Sequence, residues 1–183
     1  MQRKTLGGRH PDTLISISNL GLLLQAKGDF IAAEPLFREA VETRREIVGD
    51  RHPSTLTSIN NLGELLKAKG DLAAAQLLYR EALKGMRETL GNRHPDTLIF
   101  INNLGGLLYA KGDLAAAEPL CREALEMSRE TLGDRHPDTL ISMNNLGALL
   151  HNKGDLTAAV LLFREAKAAV PLFREAEAAA GDA

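Results

Sequence analysis

Residues 51–93 read RHPSTLTSINNLGELLKAKGDLAAAQLLYREALKGMRETLGNR, and most of the chain consists of copies of this stretch. The pair His-Pro begins at residues 10, 52, 94 and 136, a constant step of 42 residues. The triplets Asn-Leu-Gly and Lys-Gly-Asp recur at the same step. A fixed period of about 20–50 residues is typical of repeat arrays, in which stacked neighbours bury apolar faces that one repeat cannot bury alone.

Each copy has the pattern of two helices. In the second copy, apolar residues at steps of three and four predict a first helix over 53–68. Gly70 suits the end of that helix, and Asp71 suits the N-cap of a second helix over 72–90. His-Pro fits the connection into a first helix, because proline is favourable at the first helical position.

A glycine lies inside every first helix, where it costs about 1 kcal/mol relative to alanine. In the second copy this residue is Gly63. The cost is explained if the two helices of a repeat approach closely at the glycine, and we expect the small residue Ala75 of the second helix to be its neighbour.

The period divides the chain into four repeats. Repeats 1 to 4 are predicted to be residues 10–51, 52–93, 94–135 and 136–170. Residues 1–9 align with the end of a second helix, as the remnant of a preceding repeat. We therefore expect a fragment of a longer array.

The end of the chain departs from the period, because residues 168–177 nearly copy residues 158–167 at a step of ten. Pro171 disfavours a helix interior, so we expect a break near Val170 and a short irregular helix within 171–183. Two alternatives stay open for this segment. In the first, Leu172 and Phe173 cap repeat 4. In the second, the segment is a kinked extension that frays.

Composition restricts the class of protein. Apolar residues make up 44% of the chain, which argues against general disorder. The formal net charge is −2, so no strong field favours nucleic acid or an anionic membrane as a partner. No apolar run approaches the roughly 18 residues of a transmembrane helix. The single cysteine, Cys121, excludes an intrachain disulfide and fits a cytoplasmic location.

No residue pattern indicates catalysis. The histidines before proline are one repeat apart, so a connector role is favoured over a metal site, whose ligands must converge. Cys121 lies on the predicted inner face as a buried thiol, and the repeated Arg-Glu pairs fit a solvated face. We therefore predict that the chain is not an enzyme and that it has no catalytic residue, metal or cofactor.

The Leu-Gly pair, the Gly-Asp turn, and the alanines and aromatic residue of the second helix together resemble the tetratricopeptide repeat. The aromatic residue is Phe37 in repeat 1, Tyr79 in repeat 2 and Phe163 in repeat 4, whereas repeat 3 has Cys121 at that position. The 42-residue period more closely resembles kinesin light chains and nephrocystin-like proteins. The resemblance implies an all-α, right-handed α-solenoid of helix-turn-helix repeats, whose concave groove binds a peptide or protein segment.

An asparagine recurs in the middle of every first helix, although asparagine is a poor helix former. These residues are Asn19, Asn61, Asn103 and Asn145. If first helices lie side by side, the amides form a row that offers donors and acceptors to the main chain of an extended peptide. Grooves of tetratricopeptide repeat proteins that resemble this one, including those of kinesin light chains, use the asparagine at this position to bind the main chain of a peptide.

A second interpretation is that these asparagines bond to neighbouring repeats and determine the stacking. The residues immediately before them are, however, the stronger candidates for contacts between repeats. They are Asn60, Asn102 and Asn144, with Ser18 in repeat 1.

Positions that vary along the same helix face are predicted to set specificity. The first set is Leu22, Glu64, Gly106 and Ala148, and the second is Gln25, Lys67, Tyr109 and His151. Gly106 beside Tyr109 predicts a hollow with an aromatic wall. The kinesin light chain family recognises acidic peptides that carry Trp or Tyr, helped by basic groove residues. Only Lys67 is basic on this face, so a less charged ligand is equally compatible.

These observations predict a non-catalytic protein–protein interaction module that binds an extended peptide in its groove. The alternative is a structural role, in which the ends of the array self-associate or dock onto a neighbouring domain.

Overall fold

A histidine begins the first helix of every repeat. In the computed structural model, which describes the backbone of residues 10–181 and the side chains of residues 10–169, each of these histidines is an N-cap. In repeat 2, Nδ1 of His52 accepts a hydrogen bond from the backbone N–H of Ser54 at 3.2 Å. The connector role predicted for these histidines is thereby confirmed.

Eight helices run through the described residues, which contain no strand, and the predicted all-α fold is confirmed. They are α1 (Pro11–Ala26), α2 (Phe30–Val48), α3 (Pro53–Ala68), α4 (Leu72–Leu90), α5 (Pro95–Ala110), α6 (Leu114–Leu132), α7 (Pro137–Asn152) and α8 (Leu156–Gly181). The bounds predicted for repeat 2 are those of α3 and α4. Within the described residues, no helix combines the length and apolarity that crossing a bilayer requires.

The turn between the two helices of a repeat uses a glycine and an aspartate. Gly70 has φ of +87°, a left-handed conformation that glycine adopts without steric cost. Oδ1 of Asp71 then accepts a hydrogen bond from the backbone N–H of Ala74 at 3.0 Å. This geometry confirms the capping roles predicted for Gly70 and Asp71.

The chain comprises two compact units, Met1–Thr89 and Leu90–Ala183. In unit 1, α2 packs against both α1 and α3. In unit 2, α6 packs against α5 and α7, and α7 packs against α8. Helices α5 and α7 also contact each other, so first helices of successive repeats lie side by side within this unit, as predicted.

A glycine inside α3 lies against an aromatic ring of α4. A Cβ atom added to Gly63 would lie 2.6 Å from Cε1 of Tyr79, closer than van der Waals contact allows. The predicted close approach is confirmed, but the nearest atoms belong to Tyr79 and not to Ala75, because the ring extends across to the first helix. The same contact joins Gly21 to Phe37 and Gly147 to Phe163.

Ion pairs connect successive repeats within each unit. In unit 1, the carboxylate of Glu34 accepts hydrogen bonds from Lys69 in the next repeat and from Arg38 in its own helix. Arg45 pairs with Glu81 of the next repeat. The equivalent pairs in unit 2 are Glu118 with Lys153 and Arg122, and Arg129 with Glu165. The Arg-Glu positions predicted to form only a solvated face therefore also contribute partners for the stacking of repeats.

The break predicted near Val170 is wrong, because α8 continues through Pro171 to Gly181. Proline removes only one N–H donor, and the hydrogen bonds of the flanking turns still hold the helix. Pro35 and Pro119 likewise lie inside α2 and α6. The predicted remnant at residues 1–9 and the predicted cap at Leu172 and Phe173 lie outside the described residues and side chains.

The contact between Gly63 and Tyr79 predicts that Gly63→Ala lowers the stability of the chain. The added methyl must displace the ring, at a cost of about 1–3 kcal/mol. Gly106→Ala is the matched control, because an added Cβ there meets nothing within 4 Å. Without a clash, that change should stabilise the helix by up to about 1 kcal/mol. Urea unfolding followed by circular dichroism measures both variants, and equal midpoints would contradict the assignment.

The pairs of Glu34 and Glu118 predict a loss of stability in acid. Hydrogen bonds from Lys69 and, less strongly, from Arg38 hold the pKa of Glu34 below its usual value of 4.5, and Lys153 and Arg122 act in the same way on the pKa of Glu118. Because the pKa is lower in the folded chain, the stabilisation is present above the usual value and disappears as these carboxylates protonate below it.

The urea midpoint should therefore fall between about pH 5 and pH 3. The double variant Lys69→Met, Lys153→Met should lose part of this pH dependence. Lys84→Met is the control, since its ammonium lies 4.0 Å from the carboxylate of Glu88, at the limit of an ion pair. A pH profile identical in the double variant and the wild type would show that the two lysines do not determine it.

Candidate functional site

A cavity of about 280 Å³ in unit 1 brings together two of the predicted asparagines, Asn19 of α1 and Asn61 of α3. Asn19 is exposed and Asn61 is half-buried. Neither amide has a hydrogen-bond partner among the described residues, so both are available to a ligand. The other residues that line the cavity are Ile15, Ser18, Leu22, Arg44, Ser54 and Thr57.

Arg44 reaches this cavity from the second helix of repeat 1. Its Nη1 donates hydrogen bonds to Oγ of Ser18 at 3.1 Å and to Oγ of Ser58. Burial lowers the pKa of Arg44, and no carboxylate pairs with it within residues 10–169. The expectation that Lys67 is the only basic residue near the asparagines is therefore wrong, because Arg44 of α2 also lines the cavity.

Glu64 and Lys67, both half-buried, follow Asn61 along α3. Oε2 of Glu64 lies 3.7 Å from Nζ of Lys67. The hydroxyl group of Tyr79 is buried and makes no hydrogen bond within the described residues. Burial and, to a smaller extent, the neighbouring carboxylate of Glu64 raise the pKa of Tyr79, so the phenol stays neutral. This part of α3 offers one charge of each sign to a ligand.

In unit 2, asparagines of successive repeats bond to each other. Nδ2 of Asn102 donates to Oγ of Ser142 at 2.8 Å, which confirms the inter-repeat role predicted for Asn102. Nδ2 of Asn145 donates to Oδ1 of Asn102 at 3.4 Å. Asn145 thus makes the contact expected if the recurring asparagines determine stacking, although the bond is long. Asn103 is half-buried.

Gly106, one of the variable positions of unit 2, leaves open space beside α5. A Cβ added to Gly106 meets nothing within 4 Å, and the neighbouring Tyr109 is half-buried. The hydroxyl group of Tyr109 accepts a hydrogen bond from Nδ2 of Asn152 at 2.8 Å. His151 is exposed, and its Nδ1 lies 3.3 Å from Oδ1 of Asn152. Ala148 is half-buried on the same helix as His151.

Sequence reasoning identified the recurring asparagines but missed two polar residues, Arg44 and Asn152. A signal for Arg44 existed, since the equivalent positions of repeats 2 and 3 hold Met86 and Ser128, which are buried. A charged residue at an otherwise buried, uncharged position is unusual. Asn152 had no such signal, because its role depends on the position of Tyr109 in the preceding repeat.

The described residues contain no group of three His, Cys, Asp or Glu side chains that could hold a metal ion. Cys121 is buried, as predicted, and its Sγ would lie 3.2 Å from a Cβ added to Gly105. Burial and, to a smaller extent, the charge of Glu118 raise the pKa of the Cys121 thiol to about 11. The thiol therefore has the features of a core side chain and not of a nucleophile.

Models of the tetratricopeptide repeat match residues 1–46, 12–88 and 96–171, and a second model of the same repeat matches residues 60–131. The chain belongs to the tetratricopeptide repeat family. Repeats of this family typically form protein–protein interaction modules, and the α-solenoid fold class of the family agrees with the paired helices described above. A comparison with curated proteins finds no match.

Solved structures of kinesin light chain-like proteins resemble this tetratricopeptide repeat chain. Two crystal structures of a candidate kinesin light chain from Podosopora anserina, with nearly identical TPR-like repeats, are 27% identical to it at TM-scores of 0.76 and 0.74. The matches cover 92% of this chain and 79% and 80% of those chains. BtubC (BKLC) from P. vanneervenii is 28% identical at a TM-score of 0.77, over 86% of this chain and 62% of that one. The predicted resemblance to kinesin light chains is thereby confirmed.

The raised pKa of Cys121 predicts slow alkylation of the folded chain. At pH 8, iodoacetamide should modify the native thiol at least about a hundredfold more slowly than the thiol of the chain unfolded in urea, because little thiolate forms at a pKa near 11. Mass spectrometry of timed samples gives both rates. N-acetylcysteine amide, measured with and without urea, corrects for the denaturant. Equal native and unfolded rates would place the thiol at the surface.

Proposed function

We propose that this chain is a non-catalytic protein–protein interaction module that binds an extended peptide along the faces of its first helices, with the recurring asparagines holding the peptide main chain. The observation that carries this proposal is the cavity lined by both Asn19 and Asn61. A cytoplasmic location is part of the proposal, supported by the one unpaired cysteine.

The free amides in unit 1 support a main-chain contact. Each asparagine side chain has two donors and an acceptor, which matches the alternating acceptors and donors of an extended peptide. Such contacts do not depend on the peptide's side chains, so they supply affinity more than selectivity. The apolar side chains of Ile15 and Leu22 line the same cavity and supply contact area for the ligand.

In unit 2 the proposal gives Asn145 two functions. Its bond to Asn102 is long at 3.4 Å, and an amide has further hydrogen-bonding capacity for a ligand. The open space at Gly106, beside Tyr109, would accept a side chain of the peptide. The positions that vary between repeats would thus select side chains, while the recurring asparagines hold the main chain.

A second candidate function is self-association, favoured by apolar residues of α1. Leu20 and Leu23 are 48% and 54% exposed, whereas Leu62 and Leu65 at the equivalent positions of repeat 2 are 4% and 0% exposed. A surface that is buried in one repeat and exposed in another is suited to contact with a further helix. The partner would be another copy of the chain or a neighbouring domain.

The double variant Asn19→Ala, Asn61→Ala tests the proposed function. A random dodecapeptide library is first selected on the wild-type chain, and the best peptide is synthesised with blocked termini and a fluorescent label. Loss of two main-chain hydrogen bonds should weaken its binding at least about tenfold, measured by fluorescence anisotropy. Asn144→Ala is the matched control, because Asn144 is exposed and precedes the row position.

Sedimentation velocity on the same proteins separates the two candidates. Peptide binding predicts that the double variant loses affinity and keeps the oligomeric state of the wild type. Unchanged affinity together with dissociation of an oligomer would favour self-association. If the library yields no peptide that binds the wild-type chain, the proposed function is wrong.

A further inference from the structure

We propose that Arg44 is a positioning residue, which bridges α1 and α3 and holds Asn19 and Asn61 at the spacing that the main chain of the peptide requires. This inference rests on the proposed function and adds how the two asparagines are placed. It is carried by the hydrogen bonds of Arg44 and by a neutral bridge at the equivalent place in unit 2.

Arg44 connects two first helices through one nitrogen atom. It belongs to α2, which packs against both α1 and α3. Its Nη1 donates a hydrogen bond to Oγ of Ser18 in α1 at 3.1 Å and another to Oγ of Ser58 in α3. This nitrogen carries two N–H groups, so it can hold both serines at the same time. The positions of α1 and α3 are thus linked through a single side chain.

Each serine of this bridge is buried and is also bonded to its own helix. Oγ of Ser18 donates to the carbonyl oxygen of Leu14 at 2.9 Å, and Oγ of Ser58 donates to the carbonyl oxygen of Ser54 at 3.0 Å. Each hydroxyl group therefore uses its hydrogen on the backbone and accepts from Arg44 with its oxygen. Because the serines are tied to the backbone, the bridge restrains the helices themselves and not only the ends of their side chains.

The bridge lies next to the two asparagines. Ser18 immediately precedes Asn19, and Ser58 precedes Asn61 by three residues, slightly less than one helical turn. Arg44 and both asparagines line the same cavity. A shift of either helix would change the distance between the two amides, and a hydrogen bond tolerates only a small change in distance. The two amides therefore fit one peptide main chain only while the bridge holds α1 and α3 in place.

Unit 2 has a neutral bridge at the equivalent place. Nδ2 of Asn102 in α5 donates to Oγ of Ser142 in α7 at 2.8 Å, and Oγ of the buried Ser128 in α6 lies 3.4 Å from the same oxygen. Two repeats earlier, the equivalent positions are those of the bridge in unit 1, namely Ser18, Ser58 and Arg44. Both units thus join their first helices here, with a charged group in one and an amide in the other. The common feature is the link between the helices and not the charge.

The bridge of unit 2 is bonded to an asparagine of the row. Nδ2 of Asn145 donates to Oδ1 of Asn102 at 3.4 Å. In unit 1, Ser18 takes the place of Asn102 and has no amide, and Asn61, the counterpart of Asn145, has no partner among the described residues. The bridge would therefore place the row directly in unit 2, and through the two helices in unit 1.

The repeats themselves supply the variants for the test. Arg44→Ser removes the bridge and introduces the residue that repeat 3 has at this position. The double variant Ser18→Asn, Arg44→Ser rebuilds the bridge with the residues of unit 2, since Ser58 already matches Ser142. Arg38→Ser is the matched control, because it removes an exposed arginine from the same helix. The urea midpoint of each variant checks that the chain stays folded.

The experiment measures binding of the selected dodecapeptide, with blocked termini, to the full chain by fluorescence anisotropy. Arg44→Ser should weaken binding about tenfold, whereas Arg38→Ser should leave it unchanged. In the Arg44→Ser chain, the further change Asn19→Ala, Asn61→Ala should weaken binding by less than about threefold, because residues that act through one network have non-additive effects. The rebuilt bridge, Ser18→Asn, Arg44→Ser, should restore binding to within about threefold of the wild type.

Other results would overturn the inference. If Arg44→Ser keeps full affinity while Asn19→Ala, Asn61→Ala abolishes binding, the asparagines need no bridge and the proposed function stands. If Arg44→Ser weakens binding at an unchanged urea midpoint and the rebuilt bridge does not restore it, Arg44 acts on the peptide itself and not through the helices. If the rebuilt bridge restores a lowered midpoint without restoring affinity, the bridge contributes to stability alone. If no peptide binds the wild-type chain, both proposals are wrong.

Discussion

The contact between the glycine of a first helix and the ring of the second helix determines the geometry of the helix pair in repeat 2. Gly63 has no side chain, so Tyr79 lies against the backbone of α3. Asn61 precedes Gly63 by two residues, or about 200° around the helix. The asparagine must therefore face away from α4, and its position at the cavity follows from the contact that holds the pair together.

The fold was predictable because each element has a local signal that agrees with the repeat. The apolar spacing, the proline at the first helical position and the Gly-Asp turn all give the bounds found for α3 and α4. The neighbour of Gly63 is Tyr79 and not the predicted Ala75, because the spacing of small residues does not describe how far a large ring extends. The predicted break at Pro171 does not occur, because the loss of one backbone hydrogen bond is small beside the bonds of a helix of 26 residues.

The candidate site was predictable only in part. The asparagine positions follow from the period, and the face they share follows from helix geometry. Arg44 belongs to a different helix, and its contribution to the cavity depends on the length and direction of its side chain, which periodicity does not describe. The bond between Asn145 and Asn102 likewise depends on the offset between α5 and α7. The sequence alone therefore did not predict the side-chain contacts between different helices.

The ion pairs between repeats have a consequence for how the chain folds. Glu34 and Lys69 are 35 residues apart, and Arg45 and Glu81 are 36 residues apart. Each of these ion pairs closes a loop shorter than the 42-residue period, which limits the entropy lost when the pair forms. In a repeat array stabilised by contacts between neighbouring repeats, nucleation can begin in more than one place, and partial unfolding can be confined to a few helices.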